Sequence, residues 1–151
     1  MTVSFKKPGA IIIEGHVQGL SNIRSLGEVG IPVFVVDTGD CVARHSKYCR
    51  GFFKCPPFDS DALAGFLIEL AKDRDLKGWL LLPSNDHAVL TLSRNKKRLE
   101  EHFKVITPGL DIIENIYVLG NHSISKEAII IKGLFRPQDI FNVNKTSTTS
   151  E

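Results

Sequence analysis

The sequence predicts an α/β fold, a three-layer domain on a parallel sheet of about four strands. Three observations carry that expectation. Short apolar runs bounded by glycine or proline recur at Ala10 to Glu14, Pro32 to Val36, Gly78 to Pro83 and Lys104 to Pro108. The stretches between most of them repeat apolar residues at helical spacing, and glycines and capping residues fall at the joints.

Gly9 and Gly15 bracket the first strand. Leu20, Ile23, Leu26 and Val29 then line one face of a helix, and Gly30 stands where a C-cap glycine belongs. Pro32 to Val36 runs into Asp37 and completes a βαβ unit whose crossover is expected to be right-handed. In "FDSDALAGFLIELAKD", Asp59 or Ser60 caps a second helix with Leu63, Phe66, Leu67, Leu70 and Ala71 inward. "GWLLLP" supplies the third strand. "SNDHAVLTLSRNKKRLEEHF" reads as a third helix with Val89, Leu92, Leu99 and Phe103 inward and Arg94, Lys96, Lys97 and Arg98 on a solvated face. "KVITPG" gives a short fourth strand ending at Pro108.

This alternation implies the strand order 2-1-3-4. In such a sheet the connections leave the first and third strands in opposite directions, opening a ligand crevice at their carboxyl ends. The loops "GHVQG" (Gly15 to Gly19) and "PSNDH" (Pro83 to His87) would line it, placing His16, Ser84, Asn85 and Asp86 as candidate ligand contacts.

From about Leu110 the pattern weakens. "LDIIENIY" has the makings of a short helix, and Ala128 to Phe135 is an apolar stretch without a partner pattern, expected to promote self-association. The polar tail from about residue 144 is expected to be disordered. The domain is therefore read as residues 1–116, followed by an irregular, atypical extension over 117–151.

At 151 residues, 42% apolar and 24% charged, the chain has an ordinary globular composition. No stretch approaches the ~20 apolar residues of a membrane span, and "MTVSFKKPGA" lacks a signal-peptide core, so the expectation is a cytoplasmic protein without a membrane partner. Three cysteines, an odd count, suit reduced thiols better than a disulfide framework. A net charge of +2 does not by itself call for a nucleic-acid partner.

The first glycine loop departs from the dinucleotide fingerprint G-x-G-x-x-G, because Val17 takes the place of the glycine that lets a pyrophosphate approach. A standard nicotinamide or flavin site is excluded, although Asp37 ends the second strand where a ribose-binding acid could sit. No Gly-Lys-Ser/Thr follows, so it is not a P-loop. Two readings stand: a tight turn that binds nothing, or a helix amino terminus whose free amides seat a carboxylate or phosphate. Ser84, Asn85 and Asp86 divide in the same way, between capping the third helix and holding a ligand. His87 beside Asp86 has no credible nucleophile to serve, and no catalytic residue is assigned.

"CVARHSKYCRGFFKC" carries Cys41, His45, Cys49 and Cys55, the first three one helical turn apart, but lacks the paired C-x2-C knuckle of most structural zinc sites, and no metal site is assigned. Arg44, Lys47, Arg50 and Lys54 interleave with Tyr48, Phe52 and Phe53. Such a stretch can stack on RNA bases, but more often it is a loop whose aromatics pack on the sheet.

"IIIEGHVQGLSNIRSLGEVGIPVFVVD", "HSKYCRGFFKCPP" and "WLLLPSNDHAVLTLSRNKKRLEEHFKVITP", in that order, resemble the amino-terminal, pre-ATP-grasp domain of ATP-grasp ligases, in the carbamoyl-phosphate-synthase-like and carboxylate–amine ligase branch. The likeness covers Gly9 to Ile116. It implies a Rossmann-like, substrate-side domain facing catalytic domains that use ATP and magnesium to phosphorylate a carboxylate before an amine displaces phosphate. Matching positions implied to face the ligand are Gly15, Gly19, Arg24, Ser46 and Asp86. After "DIIENIY" the likeness lapses, returning only at "FRPQDIFNVNK", and the nucleotide lysines, glycine-rich lid and metal carboxylates are absent. The expectation is a truncated chain that binds no cofactor alone and needs an ATP-grasp domain or subunit in trans to act on an anionic small-molecule substrate. The alternative is a stand-alone module binding a small molecule, RNA or a protein.

Overall fold

Four residues without a polar side chain, Ala10–Ile13, form β1, and all four are buried, as befits a central strand covered on both faces. The computed structural model describes residues 8–113. The chain divides into two units at Leu110, and the sheet belongs to the first. Of the helix expected over 110–117, residues 110–113 are helical and the remainder lies outside the described residues, as do the stretch from Ala128 to Phe135 and the tail from 144.

The architecture is α/β, as expected. β1 is followed by α1 (Val17–Glu28), β2 (Val33–Asp37), a 3-10 helix (Val42–His45) and β3 (Cys49–Lys54). Then come α2 (Ala62–Arg74), β4 (Leu80–Pro83), α3 (Asp86–Arg94), α4 (Lys96–Glu100) and β5 (Lys104–Val105). The sheet is wholly parallel, in the order β3-β2-β1-β4-β5. It thus has five strands rather than about four. The four expected strands keep their relative places, and the addition is β3, in the segment expected to be a loop. Its residues Phe52 and Phe53 pack on opposite faces of the sheet, which a loop reading did not require.

Alternate residues of each strand feed two cores. Ile11, Ile13, Phe34, Val36 and Leu81 meet α2, α3 and α4, while Ile12, Val33 and Val35 meet α1 and the 3-10 helix. This gives three layers. Trp79, almost wholly buried, stacks at 5.0 Å on Phe34 beneath the first core.

Other expectations shift. Val29 lies beyond the end of α1 and is exposed, because the chain turns there: Gly30, at φ +79°, donates to the Gly27 carbonyl and Ile31 donates to that of Leu26. The N-cap residue of α2 is Asp61 rather than Asp59 or Ser60 and makes no side-chain cap, although the Ser60 hydroxyl accepts the Ala62 N–H at 3.2 Å. The single third helix is two, broken at Asn95, whose side chain donates to Asp61 and to the Thr91 carbonyl. Val89 is only half-buried, whereas Leu92, Leu99 and Phe103 are buried as expected. Lys96 is not a purely solvated charge, since its ammonium donates to the Thr107 carbonyl at 2.8 Å. β5 stops at Val105 and leaves Ile106 exposed, so the strand does not reach Pro108. Among the described residues no helix is long and apolar enough to cross a membrane.

Candidate functional site

The chain order places the switch point between β1 and β4: α1 carries the chain from β1 to β2 on one side, and β4 pairs with β1 on the other. The carboxyl ends of these strands bring two loops together. Ser84 donates its backbone N–H to the Ile13 carbonyl at 2.9 Å, which fixes the start of the second loop against the end of β1.

Glu14 opens the first loop in a left-handed conformation, φ +76°, rare for a residue with a side chain. Two glycines make this turn possible by the space they leave. A Cβ on Gly15 would strike the Cys41 sulfur and come within 2.9 Å of Val35, and one on Gly19 would strike the Glu14 carbonyl oxygen. Both glycines are buried, so their first role is close packing of strand, loop and helix.

Asp37 fastens the loop from below. Its Oδ2 accepts the Gly15 N–H at 2.8 Å and its Oδ1 the Thr38 N–H at 2.7 Å, while only 2% of the residue is exposed. The acid at the end of β2 is therefore occupied by the fold and does not face a ribose. A second tie, from the Ala43 N–H to the Gly15 carbonyl at 2.9 Å, brings the 3-10 helix over the loop.

Between them lies an open cleft of about 230 Å³ lined by His16, Asp40, Cys41, Val42 and His45. Drug-sized ligands occupy ~300–1,000 Å³, so this space suits a small one. His16 is the N-cap residue of α1 and gives no side-chain cap, and the first helical turn holds no acidic residue. The leading amides of α1, with their positive helix-end potential, stand beside the cleft. Asp40 accepts the Cys41 N–H at 3.0 Å and lies 3.4 Å from Arg44 and 3.5 Å from His45. Against a desolvation cost that pushes the other way, these partners hold its carboxyl below the usual range. Burial raises the Glu14 carboxyl, with the Asp37 charge adding to the rise and His16 opposing it. Burial also raises the Cys41 thiol, helped by the Asp37 carboxylate, so the sulfur in the cleft wall is a neutral group.

Of the residues singled out from sequence, Gly15, His16 and Gly19 gather at the end of β1, and Ser84, Asn85 and Asp86 at the end of β4. Asn85 serves α3, its Oδ1 accepting the Ala88 N–H at 2.8 Å, and Asp86 is exposed in that helix's first turn. The Ser84 hydroxyl oxygen is buried with no hydrogen-bond partner. Arg24 is exposed on α1, about 10 Å of helix beyond Val17. Ser46 does not line the cleft: its hydroxyl accepts the Tyr48 N–H at 3.3 Å as the chain turns into β3.

No protein-family model matches this sequence, and no curated protein matches it. The residues themselves define the site.

Sequence reasoning missed Asp40 and His45 as parts of the cleft wall and Glu14 as the residue that opens the loop beside it. Glu14 looked like the end of a strand, Asp40 was passed over, and the segment from Cys41 to Cys55 that holds His45 was weighed for zinc or RNA. The structure ends the 3-10 helix at His45 and begins β3 at Cys49, so Cys41, His45 and Cys49 do not share a helix face. Among the described residues no group of three or more His, Cys, Asp or Glu side chains is placed to hold a metal ion.

Proposed function

We propose that this domain is the substrate-side, pre-ATP-grasp part of a carboxylate–amine ligase, binding a small anionic acid in the cleft beside α1 and relying on an ATP-grasp domain or subunit in trans for catalysis. The observation that carries the reading is the uncapped α1 amino terminus opening onto a small cleft with His16 and His45 in its wall, where the one carboxylate, Asp40, is already paired with Arg44 and His45. Amides and a helix-end potential favour a carboxylate there, and each imidazole offers a ring N–H donor. The small volume favours an acid of a few carbon atoms over a nucleotide. The resemblance of Gly9 to Ile116 to the ligase domain supplies the reaction class.

ATP and magnesium belong, in this reading, to the ATP-grasp domain or subunit. The described residues do not fit magnesium, because they assemble no carboxylate cluster for it. This chain's own residues bind and orient the acid, and no chemical step is assigned to them.

Isothermal titration of the full chain with a panel of small mono- and dicarboxylates tests the proposal. At least one acid is expected to bind, and Gln18→Glu, which places a negative charge in the first turn of α1, is expected to weaken it by about tenfold. Equal binding by wild type and variant would remove α1 from the site, and no binding by any acid would remove the site.

A further inference from the structure

β3 forms one edge of the sheet: β2 pairs with it on one side and, among the described residues, no strand lies on the other. An open strand edge offers backbone N–H and C=O groups that a second extended chain can satisfy. The charges around this edge are predominantly of one sign. From Asp40 to Cys55 the sequence holds Arg44, Lys47, Arg50 and Lys54 against the single carboxylate of Asp40, which is already engaged by Arg44 and His45. Arg50 and Lys54 lie on β3 itself and are exposed.

The cations flank both faces of the edge. On one face Arg44 sits 4.8 Å from the centre of the Phe52 ring, and on the other Arg74, from the end of α2, sits 5.1 Å from that of Phe53. Such contacts steady the guanidinium groups without neutralising them. Asp73 and Asp75 are the only carboxylates adjacent in sequence to Arg74, and neither lies on β3.

We infer that the β3 edge takes an acidic, extended peptide segment of another protein as a sixth strand. Side chains of a strand alternate between faces, so acids at successive positions of the guest meet Arg44 on one face and Arg74 on the other. A second copy of this chain is a poor guest, because two β3 edges would set Arg50 and Lys54 against their own copies. Single-stranded RNA fits less well, since Phe52, Phe53 and Tyr48 are half-buried and their rings are covered by Arg44, Arg74 and, at 5.0 Å, Lys47.

The probe is a fluorescent peptide of about eight residues in which pairs of adjacent glutamates alternate with pairs of valines, so that both faces carry acids, titrated into the full chain and followed by anisotropy. Binding is expected, with a loss of about tenfold or more in Arg50→Glu/Lys54→Glu, whose thermal melt confirms folding. N-methylation of every peptide amide keeps the charge, blocks strand pairing along both edges of the guest and is expected to cause a similar loss. Unchanged affinity after N-methylation would overturn the inference, as would tighter binding of a single-stranded RNA of matched charge, or no peptide binding at low salt.

Discussion

The Asp37 Oδ2 oxygen accepts the Gly15 N–H at 2.8 Å, joining residues 22 apart and fixing the end of β2 to the loop that leaves β1. The bond is buried and charge-assisted, so losing it strands an amide that water does not reach. Asp37→Ala is expected to destabilise the domain by about 2–4 kcal/mol and Asp37→Asn by about 1–2 kcal/mol, read from urea unfolding. A change below about 0.5 kcal/mol for the alanine variant would contradict the latch.

Gly15 and Gly39 lie on either side of that latch but differ in surroundings. A Cβ at Gly15 meets Cys41 and Val35, whereas one at Gly39 meets nothing within 4 Å. Gly15→Ala should therefore cost about 1–3 kcal/mol, while Gly39→Ala stays within about 0.5 kcal/mol of wild type. Thermal unfolding of the pair provides the comparison.

Glu14 carries both a left-handed backbone and a carboxyl whose ionisation burial opposes. Glu14→Gly should relieve the backbone and stabilise by about 1 kcal/mol, the reverse of the usual effect of glycine. Its pH behaviour follows from the raised folded pKa. Below the unfolded value of 4.5 the group is protonated in both states, and as pH rises the folded state bears the cost of the charge. Glu14→Gln should thus be more stable than wild type at pH 7 by only about a few tenths of a kcal/mol, because much of the side chain stays in water. That gain should close as pH falls below 4.5.

Burial pushes the Cys55 thiol from 9.0 up to about 12, with the Asp37 charge acting in the same direction. The folded state keeps a proton that the unfolded chain gives up, so the associated stability is present below pH 9 and is lost as pH rises toward 12. Cys55→Ala is expected to flatten the decline of unfolding free energy over that window. At pH 8, Cys55 in the native protein should react with iodoacetamide about a hundredfold or more slowly than in urea, as mass spectrometry of the modified peptide would show.

The sheet was legible because Ala10–Ile13 and Val33–Asp37 are nearly pure apolar runs with a helix-spaced stretch between them. β3 was not, because an edge strand carrying Arg50 and Lys54 has neither a continuous apolar run nor a clean alternation. The break at Asn95 was hidden for a related reason: Leu92 and Leu99 stand seven residues apart and keep helical register across two helices. At the site, Gly15 and Gly19 announced the first loop. The cleft was another matter, since it joins His16 to His45 through contacts that no spacing records, and it depends on Glu14 adopting a conformation usually left to glycine.

The central claim is that the first turn of α1 seats a small carboxylate, and amide-resolved NMR titration of the full chain with the strongest-binding acid tests it most directly. The predicted result is large shifts at the Val17, Gln18 and Gly19 amides with little movement at Gly15, whose N–H is committed to Asp37. Shifts confined to other surfaces, or none at saturating acid, would contradict it.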